Sequence, residues 1–161
     1  MAMGDRIVAM SNAVVQQIGT PHEVYYDPAN LFVARFIGSP GMNLLPGIYA
    51  SGAIQLLGGA LPVSPAARAA IERHKSGAVV VGFRPEAVLL RNDGPLAAEV
   101  YASDLHGAYT MLHLALSDGT VVHARAAREL SYPIGTALRF DLDPEQVRFF
   151  DQQTERYISL Q

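Results

Sequence analysis

In the second half of the chain, short apolar or alternating runs are closed at regular intervals by glycine, proline, aspartate or serine. The runs are "AVVVGFRPEAVLL", "LAAEVYAS", "YTMLHLAL", "TVVHARAA", "ALRFDL" and "QVRFF". Strands at such spacing predict a small barrel or sandwich. The pair Asp118-Gly119 is the strongest hairpin signal, read as a two-residue turn. Upstream, Ile48 to Pro62 reads as short β runs broken by Gly52 and Gly58-Gly59, the latter a turn and nothing more. "SPAARAAIERHKSG" then predicts one inserted helix, with Ser64 as cap, Pro65 at the first position and Gly77 as stop.

The first forty residues have a different grammar. "DRIVAM" and "AVVQQIG", separated by Ser11-Asn12, predict a hairpin. Thr20, Pro21 and Glu23 supply an N-cap, a first-turn proline and a capping-box glutamate, so a helix starts there and ends before Pro28. Asp27 and Pro28 repeat the start signal and Gly38 and Pro40 supply the stop, predicting a second helix over about Ala29 to Ile37. Leu31, Phe32, Val33, Phe36 and Ile37 cover more than half its circumference. Burying each such side chain is worth roughly 1.5–3 kcal/mol, whereas isolated helices shorter than about 12–15 residues are marginal in water. The second helix therefore needs a receiving surface. Residues 1–40 read as β-β-α-α, and "SPGMNLLPG" (Ser39 to Gly47) as a connector to a mainly β module over 41–161.

Composition narrows the partners. The chain has 161 residues, is 50% hydrophobic and 17% charged, and carries a net charge of −3. That balance argues against a nucleic-acid groove or an anionic membrane surface, both of which reward clustered Lys and Arg. Arg68, Arg73 and Lys75 cluster, as the solvated face of the inserted helix. Without cysteine there is neither a disulfide nor a thiolate metal site, which fits a cytoplasmic protein. No stretch reaches the length of a membrane span, and Asp5 and Arg6 fall where a signal peptide needs an apolar run.

Candidate chemistry is sparse. With a two-residue turn, His113 faces Ala124 and His123 faces Leu114, so the two imidazoles are expected on opposite sheet faces and share no metal. Asp141, Asp143 and Glu145 read as a strand running into a proline turn at Pro144. No G-x-x-x-x-G-K-[ST] phosphate loop and no nucleophilic elbow occur in the sequence. Tyr101, Tyr109, Phe140, Phe149 and Phe150 are expected to fill the core, which leaves no stacking surface for single-stranded nucleic acid. "GFRPEA" is the one compact polar cluster inside an apolar run: Pro85 removes a ladder donor, so the strand breaks there, flanked by Arg84 and Glu86. Two readings stand, a structural kink with a local ion pair, and a partner-docking or interdomain contact.

The segment "GDRIVAMSNAVVQQIGTPHEVYYDPANLFVARFIGSPGMNLLPG", Gly4 to Gly47, closely resembles the end of the nucleotide-binding domain in ATP-binding subunits of bacterial carbohydrate ABC importers, the maltose and glycerol-3-phosphate type. The family pattern runs D-R-I, a strand, a turn, Q-I-G-T-P, a short helix, P-A-N-x-F-V-A-x-F-I-G-S-P and M-N. "VGFRPEAV" resembles the family's G-I-R-P-E-H, and "FDLDPEQVRFFDQQTERYI" its closing strand pair with F-D-x-x-T-G. Three positions depart from the pattern. Ser11-Asn12-Ala13 stands for an Asn-Asp-Gly turn, Ala87 for the motif histidine and Glu155 for the closing glycine.

The resemblance implies a transport-associated (TOBE) module of OB-like β-barrel type, preceded by residues 1–40 as the remnant of the nucleotide-binding domain. It implies a regulatory and dimerisation role, permease subunits at the inner membrane and a cytosolic regulator as partners, and a cytoplasmic location peripheral to the membrane. ATP and magnesium belong to the parent protein. The Walker A, signature, Walker B and switch-histidine elements precede this region in the family, so no cofactor and no ATPase activity are expected of the chain itself. Arg84, Pro85, Glu86, Leu31, Phe32 and Phe36 are the candidate partner or interdomain contacts. The apolar face of the second helix, without the catalytic domain, is expected to drive dimerisation, including by exchange of residues 1–40 between copies. The rival from a different class is a small-oxyanion binder of molybdate type, although "LAAEVYAS" lacks the donor-rich S-A-R-N-type strand of those domains.

Overall fold

The computed structural model describes residues 4–74 and 77–160; the expectation placed on Lys75 lies outside them, and Gly77, the expected stop, is left-handed at φ +63°. Strands β1 (Ile7–Ser11) and β2 (Val14–Gly19) pair as a hairpin, followed by helices α1 (Pro21–Tyr26) and α2 (Leu31–Phe36). Then come β3 (Asn43–Ala50), β4 (Ala53–Leu56), β5 (Gly59–Pro62) and α3 (Pro65–His74). The chain continues as β6 (Ala78–Phe83), a 3₁₀ turn at Pro85–Ala87, β7 (Val88–Leu90), β8 (Leu96–Leu105) and β9 (Tyr109–Ala115). It ends with β10 (Val121–Ala127), β11 (Ala137–Leu142) and β12 (Arg148–Asp151).

Two five-stranded antiparallel sheets, in orders β12-β6-β3-β4-β5 and β10-β9-β8-β11-β7, share one core with α3. They form a nearly closed OB-like barrel, the expected mainly β fold with one inserted helix after a β-β-α-α segment. The expected break at Pro85 is where the chain leaves one sheet for the other, β6 pairing with β3 and β7 with β11. Two further contacts join the sheets. The buried Asn43 side chain on β3 exchanges two 2.8 Å hydrogen bonds with the backbone of His123 on β10. The Ala97 N–H donates to the Gly58 carbonyl at 3.0 Å, and a Cβ at neighbouring Gly59 would collide with the Pro95 carbonyl. Gly58-Gly59 is therefore more than a turn: it is the bare backbone over which β8 passes.

Local expectations hold where the signal is local. The Thr20 hydroxyl caps the Glu23 N–H and the Glu23 carboxylate accepts from the Thr20 N–H at 2.7 Å, completing the capping box. Ser64 accepts from the Ala67 N–H at the start of α3. Helix α2, however, starts two residues later than predicted. Its N-cap is Asn30, because the Ala29 carbonyl and the Leu31 N–H are bonded to Tyr157 and Glu155 from the far end of the chain. The first turn is also shifted by one residue: Ser11 pairs with Val14, leaving Asn12 and Ala13 as the loop at φ +48° and +62°. Ala13 thus occupies a left-handed position that suits glycine, and Glu155, at φ +60°, another.

The histidine pair corrects the expected register. The hairpin between β9 and β10 closes on Ser117–Gly119, with the Gly119 N–H on the Leu116 carbonyl and the Leu116 N–H on Thr120. This three-residue loop ends in a left-handed glycine at φ +85° and slips the pairing by one residue. His113 therefore faces His123 directly, their rings 4.8 Å apart, and His113 Nε2 lies 2.8 Å from Asp104 Oδ2. Among the described residues no group of three such side chains could hold a metal ion. The aromatic expectation is also corrected: Phe140, Phe149 and Phe150 are buried, but Tyr109 is half-buried and Tyr101 is 64% exposed.

Two stability outcomes follow. Ala13→Gly is expected to stabilise the chain by about 1 kcal/mol, since a left-handed alanine is disfavoured by roughly 1–2 kcal/mol; an unchanged or lower urea midpoint would contradict the turn geometry. Burial, and then the facing His113, lowers His123 below its ordinary 6.5. The unfolded chain thus binds this proton more tightly, so stability falls as pH drops through 6.5 and levels off above it. Urea midpoints on either side of 6.5 should differ by less in His123→Gln than in the parent chain.

Candidate functional site

The seam between residues 1–40 and the barrel is organised by Arg84, the charged residue between β6 and the 3₁₀ turn, only 2% exposed. Its Nη2 and Nε donate to the Tyr25 carbonyl at 2.7 and 3.3 Å, and its Nη1 to the Ile37 carbonyl at 2.6 Å. Tyr25 lies in the last turn of α1 and Ile37 is the C-cap of α2, so one guanidinium satisfies orphan carbonyls at both helix ends. A cation there is also favoured by both helix dipoles. The guanidinium carbon stacks 3.9 Å from the centre of the Tyr25 ring. Gly38, at φ +104°, makes room: a Cβ would come 2.9 Å from Arg84 Nη1.

Arg84 and Glu86 do not form the local ion pair of the kink reading. Glu86 Oε1 instead accepts from the Tyr25 hydroxyl at 3.2 Å, so both residues engage the same helix residue from opposite ends. Burial pushes the Arg84 guanidinium below its usual value, opposed by Tyr25 and Glu86, while burial and then Glu86 raise the Tyr25 phenol. A guanidinium stays charged through such a shift, which makes it suited to a buried contact. Pro85 is buried at the start of the 3₁₀ turn and fixes the exit of the chain from β6.

The second helix divides its apolar residues between two surfaces. Leu31 and Ala34 pack with Met42, Val80 and Phe150 of the barrel, and Val33 packs with Ala9 and Val24 beneath the hairpin. Phe32 and Phe36 are in tilted contact with ring centres 4.8 Å apart; Phe32 is partly buried beside Val33, but Phe36 is 66% exposed. The structure therefore brings Arg84, Pro85, Glu86 and Leu31 to one seam and leaves Phe36 facing away.

Sequence reasoning missed Tyr25 and Arg148. Arg148 Nε donates to the Tyr26 carbonyl at 2.9 Å and Nη2 pairs with Asp27 at 3.0 Å, a second clamp on the end of α1. Its signal was a lone arginine between the apolar residues Val147 and Phe149. Tyr25 had none, because its role is a backbone carbonyl and a ring face presented to a residue 59 positions away.

The family model described as "MalK OB fold domain" matches residues 38–88, and that described as "TOBE domain" matches 81–150. The chain carries a MalK-type OB fold domain and a TOBE domain, and its relatives are ATP-binding proteins of ABC importers. An sn-glycerol-3-phosphate import ATP-binding protein, UgpC, of Ruegeria sp. (strain TM1040) is 37% identical over 99% of this chain and 44% of its own length. UgpC of Jannaschia sp. (strain CCS1) is 38% identical over 97% of this chain and 43% of its own. The uncharacterized ABC transporter ATP-binding protein YurJ of Bacillus subtilis (strain 168) is 31% identical over 98% of this chain and 46% of its own. The chain thus spans less than half the length of these curated relatives. Among solved structures, the cytoplasmic molybdate-binding protein ModG matches 66% of this chain and 94% of its own with a TM-score of 0.52 and 17% identity, a likeness of fold alone.

Arg84→Ala should leave two helix-end carbonyls without their charged donors. We expect a loss of about 3 kcal/mol or more in urea unfolding, and Arg84→Lys, which cannot fork between two carbonyls, should recover only part of it. A loss under about 1 kcal/mol in the alanine variant would show that the seam does not depend on this contact.

Proposed function

We propose that this chain serves as the regulatory and dimerisation portion of the ATP-binding subunit of an ABC importer for sugars or related solutes. Residues 1–40 form the end of the nucleotide-binding domain and 41–161 the regulatory domain. The subunit sits at the cytoplasmic face, acts with permease subunits and hydrolyses ATP with magnesium through parts outside this chain. A cytosolic regulator is a further partner of the regulatory domain.

The observation that carries the reading is the outer face of the β1–β2 hairpin. Val8 pairs across from Ile18 and Met10 from Val15, and all four side chains are exposed, with Phe36 exposed on neighbouring α2. A two-stranded hairpin is marginal by itself, and a contiguous apolar face of this kind marks an interface. Because the relatives are more than twice as long as the matched part, the remainder of an ATP-binding domain is the natural cover for that face. The OB family match begins at residue 38, whereas the likeness to the relatives runs through the first forty residues as well, which supports the division proposed. No helix among the described residues is long and apolar enough to cross a membrane, consistent with attachment through permease subunits.

The test combines an enzyme assay with a mass measurement on the 161-residue chain. We expect no magnesium-dependent ATP hydrolysis and a dimer by light scattering at micromolar concentration. Phe36→Asp and the pair Val8→Lys with Ile18→Lys should weaken any association through the bare face while leaving the barrel folded. A monomeric parent chain would remove the dimerisation reading, and measurable hydrolysis would remove the assignment of catalysis to other parts of the subunit. Titration with molybdate is the control for the oxyanion reading, with no binding expected.

A further inference from the structure

A cleft of about 400 Å³ opens at the seam, between α1, the Pro85–Ala87 turn and the β9–β10 hairpin. That is within the usual size of small-molecule pockets. One wall, from residues 1–40, presents His22, Tyr25 and Tyr26; the other, from the barrel, presents Glu86, Tyr109 and Arg125. The Arg125 guanidinium lies over the Tyr109 ring at 4.3 Å, and His22 tilts against Tyr26 with centres 4.7 Å apart. Tyr109 also stacks on His106 with centres 5.1 Å apart, and the Tyr25 ring is covered by Arg84, so aromatic rings line the cleft from both sides with their faces largely engaged within the chain.

Its charges are unusual. The ion pairs among the described residues are Arg68–Glu72, His113–Asp104 and Arg148–Asp27, so Glu86 and Arg125 share the cleft without neutralising each other. Among the described residues Arg125 donates no side-chain hydrogen bond, and Glu86 accepts one, from Tyr25, on a single oxygen. A small anion would meet Arg125 but be repelled by Glu86, and a small cation the reverse. A neutral ligand rich in hydroxyls is favoured at both walls, because each hydroxyl can donate to the carboxylate and accept from the guanidinium. The apolar parts of such a ring can lie against the edges of the cleft tyrosines, whose bodies are apolar and whose tips are polar. A zwitterion would match the two charges, but Arg125 is exposed, and a solvated pair contributes only about 0–1 kcal/mol.

We propose that this seam cleft is a binding site for a neutral polyhydroxylated small molecule, a mono- or disaccharide, held between Glu86 and Arg125 and packed against the edges of the tyrosines. Because its two walls come from different segments of the chain, occupancy strengthens the docking of α1 on the barrel. Ligand binding and seam stability are thereby linked. The site stands on its own geometry; its use as a cytosolic solute sensor for a transporter rests on the function proposed above.

The experiment is calorimetric titration and thermal unfolding of the 161-residue chain with glucose, maltose, glycine and sn-glycerol 3-phosphate as separate probes. We expect a saccharide to bind and raise the melting temperature. Arg125→Ala, Tyr109→Ala and Glu86→Gln should each weaken that binding at least tenfold, about 1.4 kcal/mol. Arg125 is exposed and Tyr109 half-buried, so their variants should unfold as the parent does without ligand, which separates lost binding from lost folding. Binding of glycine or glycerol 3-phosphate in place of a saccharide overturns the ligand class. No saccharide binding, or binding indifferent to all three substitutions, overturns the site. Neither result bears on ATP hydrolysis or self-association, so failure here is distinguishable from failure of the function proposed above.

Discussion

A single guanidinium, that of Arg84, holds the ends of two short helices to the barrel. Neither helix is long enough to persist alone, and each ends with carbonyls that no residue of its own can satisfy. Removing a charged group from water is costly unless its donors find acceptors in good geometry. Here three donor nitrogens reach two carbonyls and the flat face of the cation covers Tyr25. The arrangement also explains Gly38, whose missing side chain leaves room for the guanidinium, and Pro85, which turns the chain immediately after Arg84.

The seam has a second fastening at the ends of α1 and α2. Arg148 reaches the end of α1, and the turn after β12 bonds the residues before α2: the Leu31 N–H donates to Glu155 and the Tyr157 N–H to Ala29. Asp151 holds that turn by accepting from the N–H groups of Gln153 and Thr154. Glu155, in a left-handed conformation, is kept there by these bonds despite being the type of residue that disfavours it. The barrel and the N-terminal segment are therefore joined by charge, by backbone hydrogen bonds and by the apolar contact of Leu31 and Ala34 with Val80 and Phe150.

These fastenings leave the hairpin in an asymmetric position. Its inner residue Ala9 is covered by Val24 and Val33, while its outer residues Val8, Met10, Val15 and Ile18 are exposed. The segment is thus fastened on one face and apolar and exposed on the other. The cleft with Glu86 and Arg125 lies where this segment meets the barrel, so the residues that fasten the seam also shape a recess that spans it.

The sequence by itself determined what depends on neighbours a few residues apart: the capping box at Thr20 and Glu23, the limits of α1, the start of α3 and the short β runs of the barrel. Those features rest on hydrogen bonds and periodicities contained within each segment. The resemblance to ABC importer subunits was legible for the same reason, since its motifs are contiguous. Tertiary structure decided the rest. A single glycine position in the β9–β10 turn moved both histidines to one face, because a one-residue slip inverts every side chain of a strand. The late start of α2, the exposure of Phe36 and the partners of Arg84 depend on residues from distant parts of the chain, whose proximity only the folded core creates.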